Sequence, residues 1–189
     1  DNIDDMLGQD DIDVAVIATP SVFHGPDTLK SFEVGKHVVV EKPMAMNVAE
    51  ADEMIATSEK AGKKLFVHQN WRFNLQFTHL QDVVASGKLG RLYHIRNYSS
   101  EFSRRDDWQT LAKYGGGVLN NTCPHYLDML LQLSGTPIVD IMGDLQQITS
   151  GGDVEDHVKA FLRSENGCTV DMESSTAQNV AMLLPTWIL

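Results

Sequence analysis

Two groups of residues in this 189-residue sequence have the types and spacing to do chemistry. The first centres on Lys42, set between Glu41 and Pro43 directly after the β-branched run His37-Val38-Val39-Val40. A lysine at the mouth of a buried strand needs a partner for its ammonium, and from there it can polarise a carbonyl or steady an alkoxide while hydride moves. Taken alone, Lys42 reads equally well as an exposed lysine paired with Glu41. The second group is Gly115-Gly116-Gly117 followed by Asn121, His125 and Asp128. Steps of four and then three residues share one face of a continuous helix, so an amide, an imidazole and a carboxylate are expected on one side. Pro124 is comfortable only in a first turn, which puts the helix start between Val118 and Asn121. The glycines allow close backbone approach to a ligand or to another segment. Asp128 reads as a structural acceptor for a backbone group or an arginine.

The elements that must carry these groups follow from periodicity. Val14 to Ala18 is an apolar run of the kind found in a parallel strand covered on both faces, broken by Thr19-Pro20-Ser21. A helix follows to about Val34, ended by Gly35, and then a second strand over His37 to Val40. Asn47 is the expected N-cap of a helix through Lys60, with Glu50 three positions on and Gly62 closing it. Leu65 to Val67 is a third strand. This order implies a parallel sheet with right-handed crossovers, whose ligand edge is the carboxyl end of the strands. That edge carries Thr19-Pro20, Glu41-Lys42-Pro43 and His68-Gln69-Asn70.

After Trp71 the pattern changes. A helix is expected over Phe73 to Ser86 with Phe73, Phe77, Leu80 and Val84 on one face, then a strand within Arg91 to Phe102 and a helix to Leu133. Three more strands fall at Ile138 to Ile148, His157 to Arg163 and Cys168 to Thr176. The fold class is therefore α/β plus α+β: the second half of a Rossmann-type parallel sheet, then an α/β domain with a largely antiparallel open sheet. Residues 1–69 are assigned to a partial dinucleotide-binding domain and residues 70–189 to a partial substrate-binding and oligomerisation domain.

Composition removes other classes. The net charge is −11 and the cations are scattered, the tight pair Arg104-Arg105 being followed by Asp106-Asp107, which argues against a nucleic-acid partner. The two cysteines make neither a disulfide framework nor a zinc spacing, and no metal is expected. No apolar run reaches bilayer length, so no membrane partner is expected. A cytoplasmic location is the expectation, with an export signal left open because the chain reads as starting inside a domain.

The segment VAVIATPSVFHGPDTLKSFEVGKHVVVEKPMAMNVAEADEMI resembles the latter part of the nucleotide-binding domain of the Gfo/Idh/MocA oxidoreductases (glucose–fructose oxidoreductase, inositol dehydrogenase and MocA), including their Glu-Lys-Pro signature. HQNWRFNLQFTHLQDVVASGKLGRLYHIR and GGGVLNNTCPHYLDMLLQLSG are similar to the start and central helix of the substrate domain. The resemblance implies NAD or NADP as cofactor and hydride transfer on a sugar, cyclitol or related polyol. An NAD-dependent glycoside hydrolase on the same scaffold and a non-catalytic NAD- or sugar-sensing protein are the alternatives. It also implies a homodimer or tetramer formed through the C-terminal sheet.

By position, the resemblance makes Lys42 and His125 catalytic, with Asn121 orienting substrate. Thr19, Pro20, His24, Glu41, Lys42, Pro43 and Asn70 fall along the dinucleotide, and the Lys42–Pro43 bond is expected to be cis. Lys42, Arg72, Asn121 and His125 fall along the substrate, joined by Trp108; Trp71 and Trp108 read equally as packing residues or as sugar-stacking platforms. Two departures stand out: Asn121 replaces the family's usual aspartate and Cys123 its common glycine. GxGxxG is absent from the 189 residues, so the chain is expected to be an internal piece of a longer protein that by itself binds NAD poorly.

Overall fold

The computed structural model describes residues 2–178 and 186–189. Its contacts divide the chain into two compact units, Asp1–Gln69 with Lys113–Gly115, and Asn70–Ala112 with Gly116–Leu189.

The first unit runs α1 (Ile3–Leu7), β1 (Val14–Ile17), a 3-10 turn at Ser21–Phe23, α2 (His24–Glu33), β2 (His37–Val40), α3 (Val48–Ala61) and β3 (Leu65–Val67). The strands lie in the order β1-β2-β3, all parallel, with Val14 opposite His37 and Val38 opposite Leu65. Two successive crossovers that step the same way across the sheet put α2 and α3 on one face. There Phe32 and Met54 close over Ala15, Ile17, Val38 and Val40. The expectation that β1 is covered on both faces is not met: Val14 and Val16 are 47% and 65% exposed, because both crossover helices occupy the other side.

Local signals explain α3 well. The Asn47 side chain accepts the Glu50 N–H at 3.0 Å, and the Glu50 carboxylate accepts the Met46 N–H at 2.6 Å, one residue earlier than in the usual capping box. Gly62, at φ +63°, ends the helix in the left-handed region while the Lys63 N–H reaches the Ser58 carbonyl.

The second unit starts with a 3-10 turn at Asn70–Phe73 and continues through α4 (Leu75–Ala85), β4 (His94–Ser100), a 3-10 turn at Trp108–Thr110, α5 (Val118–Asn121), α6 (Cys123–Ser134), β5 (Ile138–Gln146), β6 (His157–Ser164), β7 (Thr169–Ser175) and β8 (Trp187–Ile188). The sheet order is β5-β6-β7-β4-β8, antiparallel except for the parallel β4–β7 pair. Alternate residues Val158, Ala160 and Leu162 of β6, and Val170 and Met172 of β7, face Phe77, Met129, Leu130 and Leu133 from α4 and α6. Each such side chain contributes about 1.5–3 kcal/mol on full burial. Phe73 corrects the expected α4 face. It is 82% exposed, since Asn74 caps the helix by accepting the Gln76 N–H at 2.8 Å and leaves Phe73 in the preceding turn. The short β8 pairs antiparallel with β4, Trp187 opposite Asn97 and Ile188 opposite Arg96.

Candidate active site

In the first unit the strand ends form a braced rim. The His24 ring is 2% exposed and joins two of them, with Nδ1 2.7 Å from the Pro43 carbonyl oxygen and Nε2 2.8 Å from that of Thr19. Both ring nitrogens are thus engaged by the backbone, which makes His24 a brace of the rim. Thr19 is exposed, and its hydroxyl donates to Asp27 at 3.1 Å. Pro20 directly precedes the 3-10 turn into α2, with φ −56°. Glu41 accepts from the His68 ring at 2.6 Å and from the Lys42 N–H at 3.3 Å. Burial pushes the Glu41 carboxyl up, but those hydrogen bonds and the neighbouring positive charges outweigh it and hold it below the ordinary carboxylate value. Lys42 is half-buried and its bond to Pro43 is cis, as the resemblance implies.

The glycine run makes close approaches to other parts of the chain. A Cβ on Gly115 would fall 2.6 Å from Met46 Sδ, one on Gly116 2.4 Å from the Gln109 carbonyl oxygen, and one on Gly117 2.3 Å from Glu155 Oε1. Gly117 also has φ +103°, which L side chains rarely adopt.

In the second unit the expected single helix is interrupted at Thr122. Pro124, near the start of α6, has no N–H to give, and the His125 N–H bonds instead to the Thr122 carbonyl at 3.2 Å. His125 is 8% exposed and its ring stacks on Trp71, with centroids 4.3 Å apart and planes 13° from parallel. Tyr126 meets the same indole edge-on at 5.2 Å. Trp71 therefore packs against the imidazole. Asn121 donates from Nδ2 to the Gly117 carbonyl at 2.9 Å. Asp128 accepts the fork of Arg72, Nε at 2.8 Å and Nη2 at 2.5 Å, the arginine acceptor that the sequence suggests. Asn70 is exposed at the start of the 3-10 turn that carries Arg72. Cys123 is fully buried, and burial pushes its thiol up to about 12, which keeps it protonated and inert.

Beside Asn121 lies a cleft to which Gln109, Thr110, Arg105 and Glu155 contribute. Trp108 is not among the lining residues; it is half-buried in a turn that Asp107 caps, accepting the Gln109 N–H at 3.0 Å. Glu155 is the residue that the sequence pattern does not expose. It has no periodicity or motif around it, and its significance comes from packing against a glycine far upstream in the chain.

Residues 1–69 match the model of an oxidoreductase family with an NAD-binding Rossmann fold, and residues 77–187 match the GFO/IDH/MocA C-terminal domain. The chain is 33% identical over 159 residues to the uncharacterized oxidoreductase YdgJ of Escherichia coli, covering 83% of this chain and 46% of that protein. It is 30% identical over 186 residues to D-glucoside 3-dehydrogenase of Escherichia coli, covering 89% and 53%. An NAD-binding protein from Listeria innocua superposes with a TM-score of 0.93 at 28% identity, covering 99% of this chain and 55% of that one. The chain thus spans about half the length of the curated relatives it matches.

Proposed function

Because this chain belongs to the GFO/IDH/MocA oxidoreductase family, we propose that it contributes to an NAD(P)-dependent dehydrogenase or reductase that acts on a sugar, cyclitol or related polyol. The observation that carries this reading is the rim of the parallel sheet, where Glu41-Lys42-Pro43 sits at a strand end braced by His24 and His68. Ligands of open α/β sheets bind at that edge. The rim suits the part of a dinucleotide that runs along strand ends, with Thr19, Pro20, Lys42, Pro43 and Asn70 as its contacts and His24 and Glu41 as its supports. GxGxxG does not occur in the 189 residues, so the pyrophosphate contact is assigned to no residue of this chain. When bound, the nicotinamide supplies the hydride donor or acceptor.

The remaining work belongs to side chains. Lys42 steadies charge on the substrate oxygen, and His125 takes the hydroxyl proton on oxidation or returns it on reduction. The stack on Trp71 holds the imidazole plane. Asn121 hydrogen-bonds a substrate hydroxyl, since an amide cannot take a proton. Arg72 acts through its pairing with Asp128, and Trp108 offers a ring face for a sugar to stack on. The open sheet, with Met142 71% and Phe161 41% exposed, is the proposed contact between copies in a dimer or tetramer.

The test is turnover of a polyol panel by a family-length protein carrying this chain, followed by the absorbance of reduced nicotinamide with NAD and with NADP. At least one sugar or cyclitol is expected to change it, and Lys42→Ala is expected to slow that turnover by about 10²-fold or more. Glycoside cleavage without net change in reduced nicotinamide would move the protein to the hydrolase alternative. Cofactor binding with no turnover on any substrate would make it a sensor.

A further inference from the structure

We infer that Glu155 is a substrate-recognition residue, the hydroxyl-accepting carboxylate of the cleft in the second unit, where position 121 offers only an amide. This rests on the polyol reading above. Its support is a set of contacts around one glycine. Glu155 Oε1 accepts the Leu119 N–H at 2.8 Å and its backbone carbonyl accepts the Val118 N–H at 3.2 Å. Its carboxylate occupies the place a Cβ on Gly117 would take. The carbonyl of that same Gly117 accepts from Asn121, so Glu155 and Asn121 are both referred to one backbone position at the start of α5, and both line the cleft.

The loop that presents Glu155 is fixed independently. Asp153 accepts the Ala112 N–H at 2.7 Å. Asp156 accepts the N–H groups of Ile148 and Thr149 at 2.7 Å and of Ser150 at 2.6 Å. A carboxylate held this way is preorganised, so a ligand spends little ordering it. One N–H occupies a fraction of its roughly four acceptor sites, which leaves capacity for adjacent hydroxyls of a polyol.

Charge narrows the substrate class. Glu101 and Arg105 share the cleft, but the Arg105 guanidinium is forked onto Asp107, with Nε at 3.1 Å and Nη2 at 2.5 Å. A cation already paired is a poor anchor for an anion, whereas Glu101 and Glu155 repel one. The cleft therefore selects neutral polyols and amino sugars over uronates and sugar phosphates.

The probes are glucose, glucosamine and glucuronate, one ring form with three charges, titrated calorimetrically into the full 189-residue chain and its Glu155→Gln variant. Glutamine keeps an acceptor for the Leu119 N–H, so unchanged circular dichroism and melting are expected. The wild-type chain is expected to bind glucose and glucosamine about tenfold or more tighter than glucuronate. The variant is expected to weaken glucose binding by about tenfold and to erase the discrimination against glucuronate. A folded variant that binds all three as the wild type does would remove Glu155 from recognition while leaving the polyol reading in place. Preferred binding of glucuronate by the wild-type chain would overturn the inference whether or not the variant folds. Binding of none of the three sugars would overturn the inference, while the polyol reading stands or falls separately with the turnover panel.

Discussion

In the first unit the reactive candidates sit at the ends of β1, β2 and β3, while in the second Asn121 and Glu155 sit at α5 and the loop into β6, with His125 in the first turn of α6. The two placements are held by different forces. A strand end is aimed by a backbone ladder and needs only a brace, which His24 supplies by joining the carbonyls of Thr19 and Pro43. The start of a four-residue helix has no such ladder behind it, and its first N–H groups have no partner within the helix. Glu155 meets that need from a distance, its carboxylate accepting the Leu119 N–H beside a glycine that has no side chain and its backbone carbonyl accepting the Val118 N–H. Sites of the second kind depend more on single residues, and their substitutions are expected to cost more.

The largest effect is expected from Gly117→Ala, set against Gly62→Ala in the first unit. Both glycines have positive φ, but a Cβ on Gly62 meets nothing within 4 Å, whereas on Gly117 it meets a carboxylate. Gly62→Ala should cost about 1 kcal/mol and Gly117→Ala about 3 kcal/mol or more in urea denaturation. Equal costs would mean that Glu155 does not sit against Gly117.

An intermediate effect is expected at Asp156, which is 4% exposed. Burial pushes its carboxyl up, but the N–H groups of Ile148, Thr149 and Ser150 and the Thr149 hydroxyl outweigh that and hold it below the ordinary value. A carboxyl whose folded pKa is depressed stabilises the fold above its unfolded pKa of about 3.9, and that contribution is lost as pH falls through the folded pKa. Asp156→Asn should therefore cost about 2 kcal/mol at neutral pH, and the gap to wild type should narrow in thermal melts taken progressively below about pH 4. A gap that stays constant down to the lowest pH would show that the charge is not what holds the loop.

The smallest effect is expected at the exposed Asn47 cap of α3, where Asn47→Ala should cost about 1 kcal/mol and leave the second unit's hydrogen-exchange protection unchanged.

The same contrast explains what the sequence makes legible. Strands β1, β2 and β3, and helix α3 between Asn47 and Gly62, follow from runs and caps that act within a few residues. The glycine run signals close packing, but not against what, because Glu155 lies in a loop with no periodic pattern. The role of Asp128 as an arginine acceptor is readable, whereas its partner Arg72 lies 56 residues away and only the fold pairs them. Phe73 fits a helical period and is still exposed, since Asn74 starts the helix after it. The break at Thr122 is half legible: Pro124 demands a first turn, but the sequence permits one helix as readily as two.

The proposal on which the functional account depends is that Lys42 and His125 both serve the hydride-transfer reaction. It is tested most directly by a double-mutant cycle on kcat with Lys42→Ala and His125→Ala in a family-length protein. Groups that act as a unit are strongly non-additive, so the double variant should be about as slow as the slower single one. Losses that multiply would contradict the account, as would a His125→Ala protein with undiminished turnover.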